Sequence, residues 1–173
     1  MPVIWMAHRQ IREASGHETG RQLLRELYSA HVGGEMPPVL LGDRGKPYWE
    51  NSPWHFSISH TPRHAFCVLS DVPVGVDAEE ADRQVDLRIA PKILSPGELT
   101  RFAAAEDPNR ALLTLWVLKE AQGKLTGEGI TFHPRHTDFD PADPRVQQID
   151  GCLVAVIHEQ VAGLRPKEEE DVI

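Results

Sequence analysis

Cysteine is nearly absent from this chain: Cys67 and Cys152 are the only two in 173 residues. Each thiol lies in an apolar, strand-like run, so both read as core residues and not as a disulfide framework or a zinc site. Long hydrophobic stretches are missing too, and the few-residue apolar runs are too short to span a bilayer. Met1 to Gln10 lacks the basic start, apolar middle and small-residue cleavage site of a secretory signal, so a cytoplasmic protein is expected. A basic excess is lacking as well. Eighteen Lys and Arg stand against 26 Asp and Glu, a net charge of -8, which argues against nonspecific nucleic-acid binding as the main activity. Of the nine histidines, His133 and His136 form the closest suggestive pair, but no second Cys or His pair completes a zinc motif.

What is present describes a globular protein. Forty per cent apolar and 25% charged residues suit a chain of this length with one ordinary core, or two small half-domains sharing an interface. Met1 to Ser15 shows little periodicity and reads as an arm. From about Glu18 to His31 the residues Leu23, Leu24, Leu27 and Tyr28 recur at helical spacing, with Gly33 and Gly34 as a stop. Val39 to Leu41 and Tyr48 to Trp49 are short strand candidates around the turn Gly42-Asp43-Arg44-Gly45. Trp54, Phe56 and Ile58 alternate with His55, Ser57 and Ser59, the period of a half-buried strand. With Ala65 to Leu69 and Val74 to Val76 they predict a three-stranded antiparallel meander.

Asp86 to Leu94 is expected to form a short helix. Ser95-Pro96-Gly97-Glu98 is a capping-box start, and Asp107-Pro108 opens a long helix running to about Lys124 or Leu125. Ile130 to Phe132 is a strand candidate, and Val146 to Ile149 with Cys152 to Ile157 predicts a hairpin about Asp150-Gly151. Beyond Gln160 the chain becomes a charged tail.

Two stretches carry chemistry. In the long helix Leu112, Trp116, Glu120 and Lys124 form one row, apolar at first and charged at its end. Glu120 and Lys124 are also spaced as a common surface ion pair. Asp77 and Glu79, at the end of an apolar strand, point to one side if that strand is extended; alone they also describe a solvated acidic end. If Asp77, Glu79 and Glu120 converge, their repulsion calls for a hard divalent cation with oxygen ligands, most naturally Mg2+, whose open positions suit phosphate oxygens. Lys124 and Lys46 would add positive charge. Ser59 and His60 lie where their strand ends, near Asp77 in the expected meander.

Four pieces in this order, Gly45-Lys46-Pro47-Tyr48, Phe56-Ser57-Ile58-Ser59-His60, Val74-Gly75-Val76-Asp77-Ala78-Glu79 and Trp116-Val117-Leu118-Lys119-Glu120-Ala121 with Lys124, resemble the signature of the Sfp-type 4'-phosphopantetheinyl transferases. The resemblance implies Mg2+-dependent transfer of the phosphopantetheine arm of coenzyme A to a serine of an apo acyl carrier or peptidyl carrier protein, a holo-acyl-carrier-protein synthase activity that releases adenosine 3',5'-bisphosphate. It implies Asp77, Glu79 and Glu120 as metal ligands, Glu120 also as general base, and Lys124 at the pyrophosphate. Lys46, Ser59 and His60 would hold coenzyme A, with Asp77 beside it through the metal. The fold implied is α+β, a pseudodimer of two similar α/β half-domains. Here these would be 1–73, shortened and without a strand before its first helix, and 74–160 with the metal site, followed by the tail 161–173. Arg9 and Arg12 are candidates for the nucleotide, and Arg21 and Arg25 for the carrier, which as an acidic partner needs a local basic or apolar patch. Two rival readings share these residues: a catalytically weak coenzyme A or carrier-binding protein, and a Mg2+-dependent phosphohydrolase.

Overall fold

The computed structural model describes residues 1–127 and 134–160. The strand expected at Ile130 to Phe132, His133 and the charged tail lie outside the described residues. Helix α1, Gly16–His31, begins at Ser15, whose hydroxyl accepts from Glu18 N, and buries Leu23, Leu24, Leu27 and Tyr28 as their spacing predicts. The expected arm is instead strand β1, Ile4–Gln10, which pairs antiparallel along its length with β5, His64–Ser70. Trp5 and Ala7 pack against one core cluster and Ile4 and Met6 against another, so both faces are apolar and no alternation shows. The short pieces β2, Leu40–Leu41, and β3, Pro47–Tyr48, form a two-stranded ribbon turned at Gly45, whose φ is +78°.

Strand β4, His55–His60, pairs with β5 as expected, and the first sheet has the order β1-β5-β4. The meander ends there. Strand β6, Val74–Glu80, leaves this sheet and pairs instead with β8, Cys152–His158, so that the second sheet runs β6-β8-β7 with β7 at Val146–Ile149. A partner more than seventy residues downstream takes the place that a neighbouring strand was expected to hold. In both sheets the chain runs strand, helix, strand, strand, and in both the last strand lies between the other two. The β7–β8 hairpin turns at Asp150 and Gly151, both with positive φ, the two-residue geometry that matches strand twist.

The edges of the two sheets meet at β4 and β6. Ser57 Oγ accepts from Val76 N and Ser59 Oγ from Ala78 N, each at 3.1 Å. These hydroxyls satisfy the amides that β6 turns away from β8, so the serine face of β4 is buried, not solvated as a half-buried strand would be. Phe66 and Val68 of the first sheet pack with Val74, Val76 and Ala78 of the second in a shared core.

The other face of β6 carries Gly75, Asp77 and Glu79 toward α4, Pro108–Thr126, which starts at the Asp107 cap and ends with Gly127 in the left-handed region. Ahead of it come a 3-10 turn at Leu87–Ile89, a short helix α2 at Ala90–Ile93, and α3 at Pro96–Ala103 with the predicted Ser95–Glu98 capping box. They cover the flank of α4 that the sheet does not, so α4 is enclosed on most sides. Through that flank runs an ion pair, Lys119 Nζ to Glu98 Oε1 at 2.6 Å, with both side chains essentially buried. Lys119 also donates to Thr137 Oγ1 at 2.8 Å, and Phe139 N donates to Glu98 Oε2, so the charges are enclosed by further partners.

Gly75 lets the backbones of α4 and β6 approach closely. A Cβ there would collide with the Ala121 carbonyl oxygen and lie 2.7 Å from Leu125 N. Gly75→Ala should therefore destabilise by at least the roughly 1–3 kcal/mol of an overpacked core, read as a lower urea midpoint; an unchanged midpoint would contradict this packing.

Candidate functional site

Alternation along β6 puts Asp77 and Glu79 on the face toward α4, and one turn of α4 separates Glu120 from Lys124. Gly75 brings the two elements together. All four side chains line one cleft of about 400 Å³, with Ser59 and His60 from the end of β4 and with Trp116 and Arg83. The row predicted on the long helix thus faces the cleft from Trp116 onward, while Leu112 is core.

Lys124 pairs with Asp77 and not with Glu120. Its Nζ donates to Asp77 Oδ1 at 3.1 Å and to the Ile58 carbonyl at 3.3 Å, reaching across to both sheets. No ion pair joins it to Glu120 among the described residues. Ser59 donates to the same Asp77 oxygen at 3.2 Å while accepting from Ala78 N, so its hydroxyl holds the carboxylate in place. The other oxygen, Asp77 Oδ2, is buried and has no hydrogen-bond partner. Glu79 meets Arg83 Nη1 at 2.7 Å. Arg83 was not singled out from sequence; its only signal there is its place four residues after Glu79.

The electrostatics of the cleft follow from burial. Loss of solvent pushes the Asp77 carboxyl up to about 6, against the downward pull of Lys124. Burial, then the neighbouring Asp77, pushes Glu120 up to about 7. When all are ionised, the three carboxylates exceed Lys124 and Arg83 by one negative charge, and Asp77 Oδ2 has a lone pair free for a cation. An all-oxygen set with this excess charge fits Mg2+. The three acids are more widely spread than a closed metal cage, since their oxygens do not all fall within 4.8 Å of one another.

Lys46 lies elsewhere. It lines a second cavity of about 500 Å³ with Arg44, Tyr48, Trp49, Trp54 and His55. Its Nζ donates to the Leu125 carbonyl at 2.9 Å, at the end of α4, and burial lowers its pKa. His60 packs its ring against Gly16 at the start of α1, where a Cβ would strike it. Arg9 pairs with Glu26 and, with Arg12, lines a third cavity that shares no lining residue with the acidic cleft. Arg25 is exposed and Arg21 half-buried on α1. No helix among the described residues is long and apolar enough to cross a membrane.

The raised pKa of Glu120 has a sign that can be measured. A fold that favours the protonated acid is at its most stable below the unfolded value, near pH 4.5, and loses that contribution as pH rises through about 7. Glu120→Gln is neutral at every pH. In chelator it should match the parent near pH 4.5 and exceed it in urea midpoint at about pH 8; a gap that does not change with pH would show that Glu120 is solvated normally.

Comparison with known proteins agrees with the geometry. Residues 73–166, more than half of the chain, match the model of the 4'-phosphopantetheinyl transferase superfamily. The 4'-phosphopantetheinyl transferase psf-1 of Bacillus pumilus is 34% identical over 122 residues, covering 65% of this chain and 52% of that protein. The 4'-phosphopantetheinyl transferase gsp of Aneurinibacillus migulanus is 31% identical over 124 residues, 69% of this chain and 52% of its own. A holo-acyl-carrier-protein synthase of Shewanella frigidimarina is 34% identical over 91 residues, 50% of this chain and 70% of its own. The chain spans about half the length of the first two. With β6, α4 and the three acids they carry inside the matched region, this chain belongs to the 4'-phosphopantetheinyl transferase superfamily.

Proposed function

We propose that this chain transfers the 4'-phosphopantetheine group of coenzyme A to a serine hydroxyl of an apo acyl carrier or peptidyl carrier protein. The observation that carries this reading is the cleft in which Asp77, Glu79 and Glu120 face Lys124 and His60, with Asp77 Oδ2 left unpartnered. Names borne by relatives support it: two are called 4'-phosphopantetheinyl transferases and one a holo-acyl-carrier-protein synthase. The repeated strand, helix, strand, strand order supports a pseudodimer of half-domains 1–73 and 74–160. The free, buried cysteines suit a cytoplasmic setting.

Asp77, Glu79 and Glu120 would hold Mg2+, which when bound neutralises phosphate charge and offers open positions to pyrophosphate oxygens. The chain's own groups do the rest. Glu120, half-buried and titrating near neutrality, takes the proton of the carrier serine as its oxygen forms a bond to the β-phosphorus. The bond from that phosphorus to the bridging oxygen breaks, and adenosine 3',5'-bisphosphate leaves. Lys124 stabilises the charge that develops there, and Ser59 keeps Asp77 aimed. His60, at the cleft mouth, and Lys46, in the neighbouring aromatic cavity, hold the nucleotide end of coenzyme A. Ser59 is not a nucleophile, because phosphoryl-type transfer needs no covalent enzyme intermediate.

Incubation with coenzyme A, Mg2+ and an apo carrier protein should add the phosphopantetheine mass to the carrier. Coenzyme A binding without mass gain would leave a binding protein, and bisphosphate release without carrier a hydrolase. Glu120→Gln should lower turnover by about 10²–10⁴-fold while the protein stays folded. Lys124→Ala should lose more in turnover than in melting temperature; the reverse would make Lys124 a structural tie to Asp77.

A further inference from the structure

A second group of ligand-type side chains lies on the opposite face of β6. Strand β5 begins at His64, β6 ends at Glu80 and β8 begins at Cys152, directly across the ladder from Glu80. Two sheets therefore deliver three strand ends to one point. There the donor atoms of His64, Glu80 and Cys152 all lie within 4.8 Å of one another. All three residues are buried, at 6%, 7% and 0% exposure. His64 Nδ1 stands 2.9 Å from Glu80 Oε1 and 3.4 Å from Cys152 Sγ. Thr61 Oγ1 is 2.6 Å from the same Glu80 oxygen. Arg63, whose side chain is largely exposed, meets the other Glu80 oxygen, Oε2, at 3.1 Å.

The transfer reaction uses none of these residues. Their chemistry also differs from that of the acidic cleft: one nitrogen, one sulfur and one oxygen donor form a borderline-soft set, suited to Zn2+ and not to Mg2+. Charge agrees with this choice: a thiolate, a carboxylate and a neutral imidazole cancel Zn2+, and Arg63 on the outer Glu80 oxygen is balanced by Asp82, which lowers the cost of burial.

We propose that His64, Glu80 and Cys152 form a structural zinc site that fastens β5 of the first sheet to β6 and β8 of the second. Zinc replaces the Cys152 thiol proton, which goes to solvent. The His64 lone pair at Nδ1 turns to the metal and its proton resides on Nε2, so one proton is released per ion. The fourth position, beside Thr61, goes to its hydroxyl or to water.

The full chain, stripped with chelator, is titrated with Co2+ as a spectroscopic stand-in. One equivalent should produce a sulfur-to-cobalt charge-transfer band in the near ultraviolet, which Zn2+ abolishes by displacement and excess Mg2+ does not. Cys152→Ser should lose the band and Cys67→Ser keep it. Glu80→Gln, which retains the thiol and the imidazole, should shift the titration to higher Co2+, and this variant decides the matter if Cys152→Ser fails to fold. No band in the parent, a band that survives in Cys152→Ser, or an unshifted titration in Glu80→Gln would overturn the proposal.

Discussion

The architecture depends on two serine hydroxyls that join the edges of separate sheets. An edge strand exposes a row of amides that must find partners or remain in water. Ser57 and Ser59 supply those partners to Val76 and Ala78, so β4 and β6 lie side by side without belonging to one ladder. The junction is short and polar, and it brings the end of β4, with Ser59 and His60, beside Asp77 in the middle of β6. The cleft is thus the far end of the seam between the sheets.

From that seam the electrostatics follow. Ser59 is part of the sheet contact and of the acidic site at once, accepting from one sheet's backbone and donating to Asp77. Lys124 repeats the arrangement from the helix side by touching both Asp77 and the Ile58 carbonyl. Asp77, held by such fixed partners, cannot relax away from Glu120, and burial raises both carboxyls toward neutrality.

Much of this was legible in the residues. Helical spacing gave α1, the caps at Ser95 and Asp107 gave the starts of α3 and α4, and Asp150-Gly151 gave the hairpin. Strand period put Asp77 and Glu79 on one side, and helical period aligned Glu120 with Lys124. What failed was the choice of partner. Nothing local in Val74 to Glu80 shows that it pairs with Cys152 to His158 and not with the strand before it. The Lys119–Glu98 pair was equally invisible, because a lysine on a helix reads as solvated until another element is known to cover it. The resemblance groups Lys46 with Ser59 and His60; in the fold Lys46 lines the neighbouring cavity and the other two line the acidic cleft.

Gly75 sets a separation that no side chain can adjust. Where helix and strand rest backbone on backbone, their distance is fixed by atomic radii, independent of how the surrounding core is filled. Substitutions elsewhere along α4 alter shape or volume where side chains meet, against β8 or against the flank formed by α2 and α3. The stations of Glu120 and Lys124 opposite Asp77 are thereby insulated from drift in the rest of the helix.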